Sequence, residues 1–350
     1  MSKLILSEAV INWYEKNHRK LPWRSSTEEH FNPYFVLVSE FMLQQTVVKT
    51  VIPYFNKFVS KFYNIFILAE ADLDEVLSIW SGLGYYRRAK NLHETSKIIC
   101  EKYNGIIPKS YDDLISLPGI GDYTASAIMS IAFNYPSNVV DGNIERIFSR
   151  LNKIDTPINK AKNKIRFIAK KHVPTSKVSF YVQGLMDIGA TICKPKISKC
   201  FECPLENWCR VSNRVESIIY PIKEKKTIKI RKGTFYCIIK NNNSIMLIKN
   251  KNKGLFANMD VLPSFGWEKE KHSEVEQLKN LEGYNLPNKF YYAFTHFKLE
   301  VNIVICKNFS KKELNVLKKI EFVKFVDLEK KAIPSLIKKI LDEVKKCILI

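Results

Sequence analysis

Four of the chain's eight cysteines, Cys193, Cys200, Cys203 and Cys209, fall within one short segment with the spacing C-x6-C-x2-C-x5-C. Four thiolates on one loop can enclose a single metal centre, either tetrahedral zinc or a cubane iron–sulfur cluster, and the spacing alone does not separate the two. Four unligated thiols crowded into a polar loop would be an oxidation liability, so that reading is disfavoured. Lys194, Lys196 and Lys199 suit the loop to face a phosphate backbone. The remaining Cys100, Cys237, Cys306 and Cys347 stand singly in apolar runs, a distribution that predicts a reducing compartment with one metal site and four ordinary thiols.

Lysine and arginine number 56 against 35 aspartates and glutamates, a formal net charge of +21 in 350 residues. Such an excess points to an anionic partner, most often nucleic acid, although a lysine-biased proteome would raise the charge in the same way. The length allows two or three packed domains. No run of about 18 apolar residues occurs, and Met1 to Trp23 reads as a charged amphipathic helix. The expectation is a cytoplasmic protein, nucleoid-associated in a bacterium, monomeric and without an export signal or membrane anchor.

From Ser7 to about Val211 apolar residues recur at three and four spacing between short Pro/Gly breaks, as over Leu73 to Trp80, Ala89 to Tyr103 and Ala161 to His172. This half reads as all-α. Lys223 to Lys232, basic and poor in bulky side chains apart from isoleucine, reads as a linker. Beyond Gly233 short β-type runs take over, Phe235 to Lys240, Ser244 to Lys249, Lys289 to Phe294 and Phe297 to Cys306. A helical stripe of Leu336, Ile337, Ile340, Leu341 and Val344 follows, so the second part reads as a smaller α+β domain. The boundaries fall at residues 1–215 for the helical domain, 216–232 for the linker and 233–350 for the α+β domain.

Leu117-Pro118-Gly119-Ile120-Gly121 joins two helical runs over about residues 111–133. Glycines there let the backbone approach a phosphate, and the following helix offers free N–H groups, although an ordinary helical corner would carry Leu-Pro-Gly as well. Glu40 lies in Pro33 to Val48, read as one helix, with Val36, Leu37, Leu43 and Gln44 at three and four spacing. A carboxylate on such a face has a raised pKa, as a general acid at neutral pH requires; a Glu with a packed stem and a salt-bridged head would carry the same pattern. Asp141 precedes the helical run Ile144 to Leu151, where helix capping is the plain alternative. Paired, the two fit glycosidic cleavage, in which one acid protonates the leaving group and one carboxylate faces the oxocarbenium-like carbon.

The cysteine spacing and the L-P-G-x-G element before it resemble the endonuclease III and MutY superfamily of base-excision glycosylases. Pro22-Trp23-Arg24, Ser39-Glu40-Phe41-Met42-Leu43-Gln44-Gln45-Thr46, Gly82-Leu83-Gly84-Tyr85-Tyr86, Asp141-Gly142-Asn143 and Met186-Asp187-Ile188-Gly189-Ala190 resemble, in the same order, the signature segments of the MutY family of adenine DNA glycosylases. The resemblance implies an all-α helix-hairpin-helix glycosylase domain with a [4Fe-4S] cluster on Cys193, Cys200, Cys203 and Cys209. It implies that Gly119 and Gly121 shape a phosphate-binding hairpin, that Glu40 protonates a flipped adenine, and that Asp141, oriented by Asn143, stabilises the sugar cation or bonds to it. Tyr123 would assist at the sugar. Gln45, Leu83 and Tyr85 would enter the duplex, with core packing as the alternative for the latter two; Arg24, Thr46 and Asp187 would complete the adenine pocket or the groove beside it. Tyr123 stands where the endonuclease III branch carries a nucleophilic lysine, so the implied enzyme is monofunctional and leaves an abasic site. Glu145 stands where some members have a product-trapping lysine, and that side chemistry is not implied here.

Gly254 to Asp260 and Ala293 to Phe297 resemble the Nudix-like domain of the same family. A catalytic Nudix domain needs an R-E-x-x-E-E helix for magnesium, and Ser273 to Gly283 has glutamates without that pattern. The domain is therefore expected to read 8-oxoguanine through Phe294, Thr295 and His296, although a polar hairpin turn explains the last two as well. The implied partner is double-stranded DNA with A:8-oxoguanine or A:G mispairs. A bifunctional lyase and a non-catalytic iron–sulfur DNA-binding protein are the competing classes; Tyr123 speaks against the first and Glu40 against the second.

Overall fold

The computed structural model describes residues 5–24, 31–213, 215–224, 228–250, 255–267, 282–287, 289–294, 296–309, 314 and 320–348. Its contacts divide the chain into two compact units, Met1–Glu70 with Asn91–Lys225, and Ala71–Lys90 with Lys226–Ile350. The second unit thus recruits a segment from the helical half of the sequence.

In the first unit α1 (Leu6–Asn17), α2 (Pro33–Leu43), α3 (Val48–Lys61) and α4 (Ile65–Glu70) are followed by α6 (Arg87–Tyr103) from Asn91 on, and by α7 (Tyr111–Ile115), α8 (Asp122–Phe133), α9 (Gly142–Leu151), α10 (Ile158–Lys170) and α11 (Val178–Thr191). Helix α11 contacts α1, α8 and α9, and buries Tyr181, Val182, Leu185 and Ile188 among them. Two of its glycines mark close approaches. A Cβ on Gly184 would lie 2.7 Å from Val10 Cγ1 on α1, and a Cβ on Gly189 would lie 2.5 Å from Asn143 Cβ on α9.

Helix α2 begins where sequence rules place it: Asn32 Oδ1 accepts from the Tyr34 and Phe35 N–H groups at 2.9 and 3.4 Å, and Pro33 occupies the first turn. It is apolar almost all round and accordingly buried, against α3 and α8. Its end corrects the expectation of one helix to Val48. The helix stops at Leu43, Gln45 takes a left-handed φ of +60°, and α3 starts afresh at Val48. Gln44 leaves the helix with its amide donating to Gly119 O at 3.3 Å, a tertiary contact that periodicity cannot reveal.

In the second unit, α5 (Leu73–Trp80) and the first residues of α6 (Arg87–Tyr103) join a mixed sheet of β1 (Lys229–Lys240), β2 (Ser244–Lys249), β3 (Asp260–Val261), β4 (Ser264–Phe265), β5 (Tyr284–Asn285), β6 (Phe290–Ala293), β7 (Phe297–Cys306) and β8 (Ile320–Lys324). The order is β3-β2-β1-β7-β5, with β4 on β1, β6 on β7 and β8 on β2. Strands β1 and β7 run parallel from Lys229↔Phe297 to Ile238↔Cys306, and the other pairings are antiparallel. The first strand starts at Lys229, so the last residues read as linker are sheet. The final helix α12 (Ser335–Ile348) lays Leu336, Ile337, Ile340, Leu341 and Val344 on Phe235, Ile245, Leu299, Val301 and Ile303, the stripe read from the sequence.

Ile340 is fully buried in that cluster. Ile340→Ala is expected to destabilise the α+β unit by about 2–5 kcal/mol through lost burial and the cavity left behind, measured by denaturant unfolding followed at the unit's Trp267.

Candidate active site

Glu40 sits near the end of α2 and is only 5% exposed. Burial pushes its carboxyl up to about 7; the Tyr123 hydroxyl, which donates to it, and Arg24 hold it down, while Asp141 adds to the rise. Its Oε2 is buried with no hydrogen-bond partner. The carboxyl is therefore stable as a neutral acid whose second oxygen is not occupied by the protein. Tyr123, on the first turn of α8, is held well above its ordinary pKa by burial and then by the Glu40 and Asp141 charges, so it remains a neutral phenol.

Asp141 is the N-cap of α9: its Oδ1 accepts from Ile144 N–H at 2.7 Å and its Oδ2 from Asn143 Nδ2 at 3.0 Å. The capping reading is correct as geometry, and it coexists with a place beside Glu40 and Tyr123. Burial raises the Asp141 carboxyl overall, against four groups that favour its charge: the Ile144 and Asn143 N–H groups, the Asn143 amide and Arg146. Asn143 is fixed from behind. Its Oδ1 accepts from Arg146 Nη2 at 2.9 Å, and the same nitrogen donates to Gly189 O at 2.7 Å.

A small cavity of about 40 Å³ is lined by Glu40, Arg24, Trp23, Leu43, Gln183 and Met186, among others. That is room for a water rather than a purine. Two of its lining groups carry buried polar atoms without a protein partner, Glu40 Oε2 and Arg24 Nε. The two terminal nitrogens of the Arg24 guanidinium hold Asp187, with Nη1–Oδ2 at 2.7 Å and Nη2–Oδ1 at 2.9 Å, and Nη1 also donates to Arg19 O at 3.1 Å. Arg19 binds the same carboxylate through its Nε at 2.7 Å and its backbone N–H at 2.9 Å. Burial would raise Asp187, yet the hydrogen bonds and charges of Arg24 and Arg19 together hold it below its usual value. Asp187, fully buried, thus orients Arg24 and is itself shut off from any ligand.

The turn between α7 and α8 has Gly119 at φ +78°, where a Cβ would meet Asn91 at 2.6 Å and Phe41 at 2.9 Å. Gly121, the N-cap of α8, has ordinary extended φ and open space around it. Only the first glycine is sterically required; the second leaves the exposed helix start unobstructed. Gln45 is exposed and Thr46 half-buried in the loop after α2.

The four clustered cysteines are all free and partly buried. Burial, and then the proximity of the other three thiols, pushes Cys203 up to about 12 in spite of the Leu205 N–H. Arg150, itself buried on α9, donates through Nη1 to Cys193 Sγ at 3.2 Å, Lys194 O at 2.9 Å and Ser198 Oγ at 2.8 Å; Arg146 Nε donates to Cys193 O at 2.8 Å. Among the described residues, no group of three or more His, Cys, Asp or Glu side chains is gathered tightly enough to hold one metal ion.

Residues 38–175 match the HhH-GPD superfamily of base excision DNA repair proteins, and residues 234–343 match the NUDIX domain. The adenine DNA glycosylase of Buchnera aphidicola subsp. Schizaphis graminum is 39% identical over 88% of this chain and 91% of its own length. That of Buchnera aphidicola subsp. Acyrthosiphon pisum is 38% identical over 88% of each chain. Among solved structures, a thermostable thymine-DNA glycosylase is 26% identical and superposes with a TM-score of 0.52 over 58% of this chain and 93% of its own. The chain belongs to the adenine DNA glycosylase family. It is accordingly a DNA glycosylase, with a helix-hairpin-helix domain followed by a Nudix-like one.

In this adenine DNA glycosylase family member, the first unit brings Glu40, Tyr123, Asp141, Asn143 and Arg24 to one place. Leu83 and Tyr85 belong to the second unit. Leu83 is buried at 6% exposure, whereas Tyr85 is 46% exposed with a left-handed φ of +49°. Phe294 is half-buried, stacked on Phe297 at 4.5 Å and on Trp267 at 5.9 Å, and His296 is exposed between β6 and β7. Gly254, Thr295 and most of Ser273 to Gly283 lie outside the described residues. Arg146 and Arg150 were missed in the sequence, although two arginines four apart on an otherwise apolar helix face were the available signal. Among the described residues, no helix is long and apolar enough to cross a membrane.

A carboxyl held near 7 in the fold, against an ordinary 4.5, makes the native state bind the extra proton. Stability is then lost as pH rises from about 4.5 to 7, by about 3 kcal/mol in all. Glu40→Gln removes this term. The variant is expected to unfold at a higher temperature than the parent at pH 8, with the difference disappearing at pH 4, both followed by circular dichroism.

Proposed function

We propose that the protein hydrolyses the N-glycosidic bond of adenine mispaired with 8-oxoguanine or guanine in duplex DNA, leaving an abasic site without cutting the strand. The observation that carries this reading is the buried Glu40, half protonated near pH 7, which lines one small cavity together with Arg24, its Oε2 and the Arg24 Nε–H both buried and unpartnered. Two orphaned polar atoms in one pocket are what a polar, aromatic ligand would satisfy. Glu40 delivers its proton to the extruded base as the C1′–N9 bond breaks and the bonding electrons leave with adenine. Asp141, held by the Ile144 N–H and Asn143, faces the cationic sugar carbon, and water completes the exchange. Tyr123 donates to Glu40 as a neutral phenol, and a phenol cannot form the Schiff base that a strand-cutting lyase needs.

Extrusion of the base leaves a gap in the stack. Gln45 and Tyr85 are exposed, and both hold a left-handed φ that costs free energy for any residue with a side chain. Strain of that kind at exposed positions supports their role as inserts. Leu83, buried here, would follow only if its turn opens. Gly119, Gly121 and the start of α8 suit a phosphate, and His296, exposed between β6 and β7, is assigned to the 8-oxoguanine together with Thr295, with Phe294 as a buttress in the aromatic stack.

The cysteine loop fits a [4Fe-4S] cluster better than it fits four isolated thiols. Its donors are all thiols and number four, and two buried arginines face Cys193, which is what a centre bound by four negative ligands requires. Cys193, Cys200, Cys203 and Cys209 would hold it, and when bound it orders the loop and supplies no hydrolytic chemistry. The nearby Lys194, Lys196 and Lys199 would then meet the DNA backbone.

Single-turnover base release from A:8-oxoguanine, A:G and A:T duplexes, read after alkali, tests the assignment. The parent is expected to release adenine from the first two, to yield no borohydride-trapped adduct, and to slow about ten-fold per pH unit above about pH 7 as Glu40 deprotonates. Glu40→Gln is expected to lose on the order of 10²–10⁴-fold or more in rate while keeping DNA affinity; substantial residual release would overturn its role. For the loop, the purified protein is expected to contain about four irons per chain and absorb broadly near about 400 nm. Colourless protein with stoichiometric zinc would identify the other metal.

A further inference from the structure

The turn Gly82–Tyr85 is held on the second unit by more than its own helices. Gly82 and Gly84 have φ of +106° and +76°, and a Cβ on Gly84 would meet nothing within 4 Å, so this glycine serves backbone conformation rather than space. From its own side, Trp80 Nε1 and Arg88 Nη2 donate to Gly84 O at 3.2 and 3.0 Å. From the C-terminal side, Ser335 Oγ, at the first residue of α12, donates to Gly82 O at 3.3 Å.

The Tyr86 hydroxyl is the hub of this contact. It accepts from Gly82 N–H at 3.3 Å and from Ser335 N–H at 3.1 Å, and it donates to Ile333 O at 3.3 Å, the carbonyl that also accepts from Ser81 Oγ at 2.9 Å. Tyr86 is buried at 6% exposure. Ser335 is shared as well with Tyr292 of β6, which hydrogen-bonds it and whose ring centroid lies 5.1 Å from that of Phe294. Lys90, one turn along α6, donates to Ala257 O. One continuous set of contacts therefore runs from Phe294 at the β6–β7 turn, through Tyr292, Ser335 and Tyr86, to the backbone of Gly82.

We propose that Tyr86 and Ser335 are positioning residues that hold the Tyr85 turn in register with the lesion-reading turn, so that insertion into the duplex and reading of the opposite base are performed by one rigid body. The proposal rests on the function proposed above and adds a mechanical link to it. Neither hydroxyl touches the scissile bond. Their loss should loosen the turn, reduce extrusion of the target base and leave phosphate-driven affinity in place.

The test uses the full chain with Glu40→Gln to prevent cleavage, and duplexes carrying 2-aminopurine in place of the target adenine opposite 8-oxoguanine. Tyr86→Phe and Ser335→Ala are each expected to lower the 2-aminopurine fluorescence gain at saturating protein at least three-fold, with Kd by anisotropy changed less than two-fold. The double variant should be no worse than the more impaired single one, as members of one unit are. Ser335→Thr, which keeps a hydroxyl, should restore most of the signal. In the Glu40 background, single-turnover adenine release should fall in parallel. Full extrusion by both Tyr86→Phe and Ser335→Ala overturns the link while leaving the glycosylase assignment intact, and so does loss of Kd in proportion to fluorescence. A parent chain that neither releases adenine nor extrudes 2-aminopurine overturns both.

Discussion

The site depends on keeping one carboxyl dry. An acid that is to protonate a base near neutral pH must be removed from water and denied a cationic partner strong enough to ionise it, and both conditions are met at Glu40 by an almost wholly apolar helix. Arg24, the nearest cation, would defeat this if its charge were free. It is instead locked to Asp187 through a bidentate pair that Arg19 completes. The fully buried Asp187 thus serves the acid indirectly: it neutralises the arginine and leaves the buried Nε without a protein partner. Such a site costs stability by construction, and the first unit carries that cost in the packing of α2 against α3 and α8.

The second carboxyl is controlled by the opposite means. Asp141 is surrounded by donors, and these come from a single short helix. Helix α9 offers its own N-terminal N–H to the carboxylate, presents Asn143 in its first turn, and one and two turns later carries Arg146 and Arg150 to the cysteine loop. A helix dipole adds to the same end. The close contact at Gly189 fixes the axial position of α9 against α11, since any side chain there would collide with Asn143 Cβ at 2.5 Å. The order and spacing of Asp141, Asn143, Arg146 and Arg150 along one helix tie the Asp141 carboxylate and the cysteine loop to one element. They share a rigid element about 15 Å long by helix geometry.

Much of this was legible in the chain itself because it rests on local rules. The N-cap of α2, the strands from Ser244 to Lys249 and from Phe297 to Cys306, and the α12 stripe follow from capping and periodicity alone. Glu40, Tyr123, Asp141 and Asn143 could be gathered by motif, and the fold brings them together. What escaped was decided by tertiary contact. The end of α2 at Leu43 depends on Gln44 reaching Gly119, and the Gly82 carbonyl in the turn before Leu83 is bound by Ser335, more than two hundred positions away. The resemblance placed Arg24 and Asp187 in the adenine pocket or the groove beside it, and only geometry shows that they consume each other's charge. Lys229 to Lys232 read as linker because basic residues mask a strand whose partner, β7, is distant in sequence.

The recruitment of Ala71–Lys90 by the second unit changes how the two halves of the chain should be regarded. A division at about residue 215 suggests a catalytic domain that carries all the machinery and a reader that can be removed. Yet Tyr85 stands on a turn whose Gly82 carbonyl and N–H are satisfied by Ser335 Oγ and by a Tyr86 hydroxyl that Ser335 and Ile333 engage in turn. Removing everything beyond Gly233 would strip these groups and leave the buried Ser81 and Tyr86 hydroxyls without their Ile333 and Ser335 partners. A truncated chain would therefore lose more than the base reading proposed for the second unit. Any deficit it showed in base release would mix the loss of the proposed reader with a loosened Tyr85 turn, and only substitutions that spare the fold, at single hydroxyls, can separate the two.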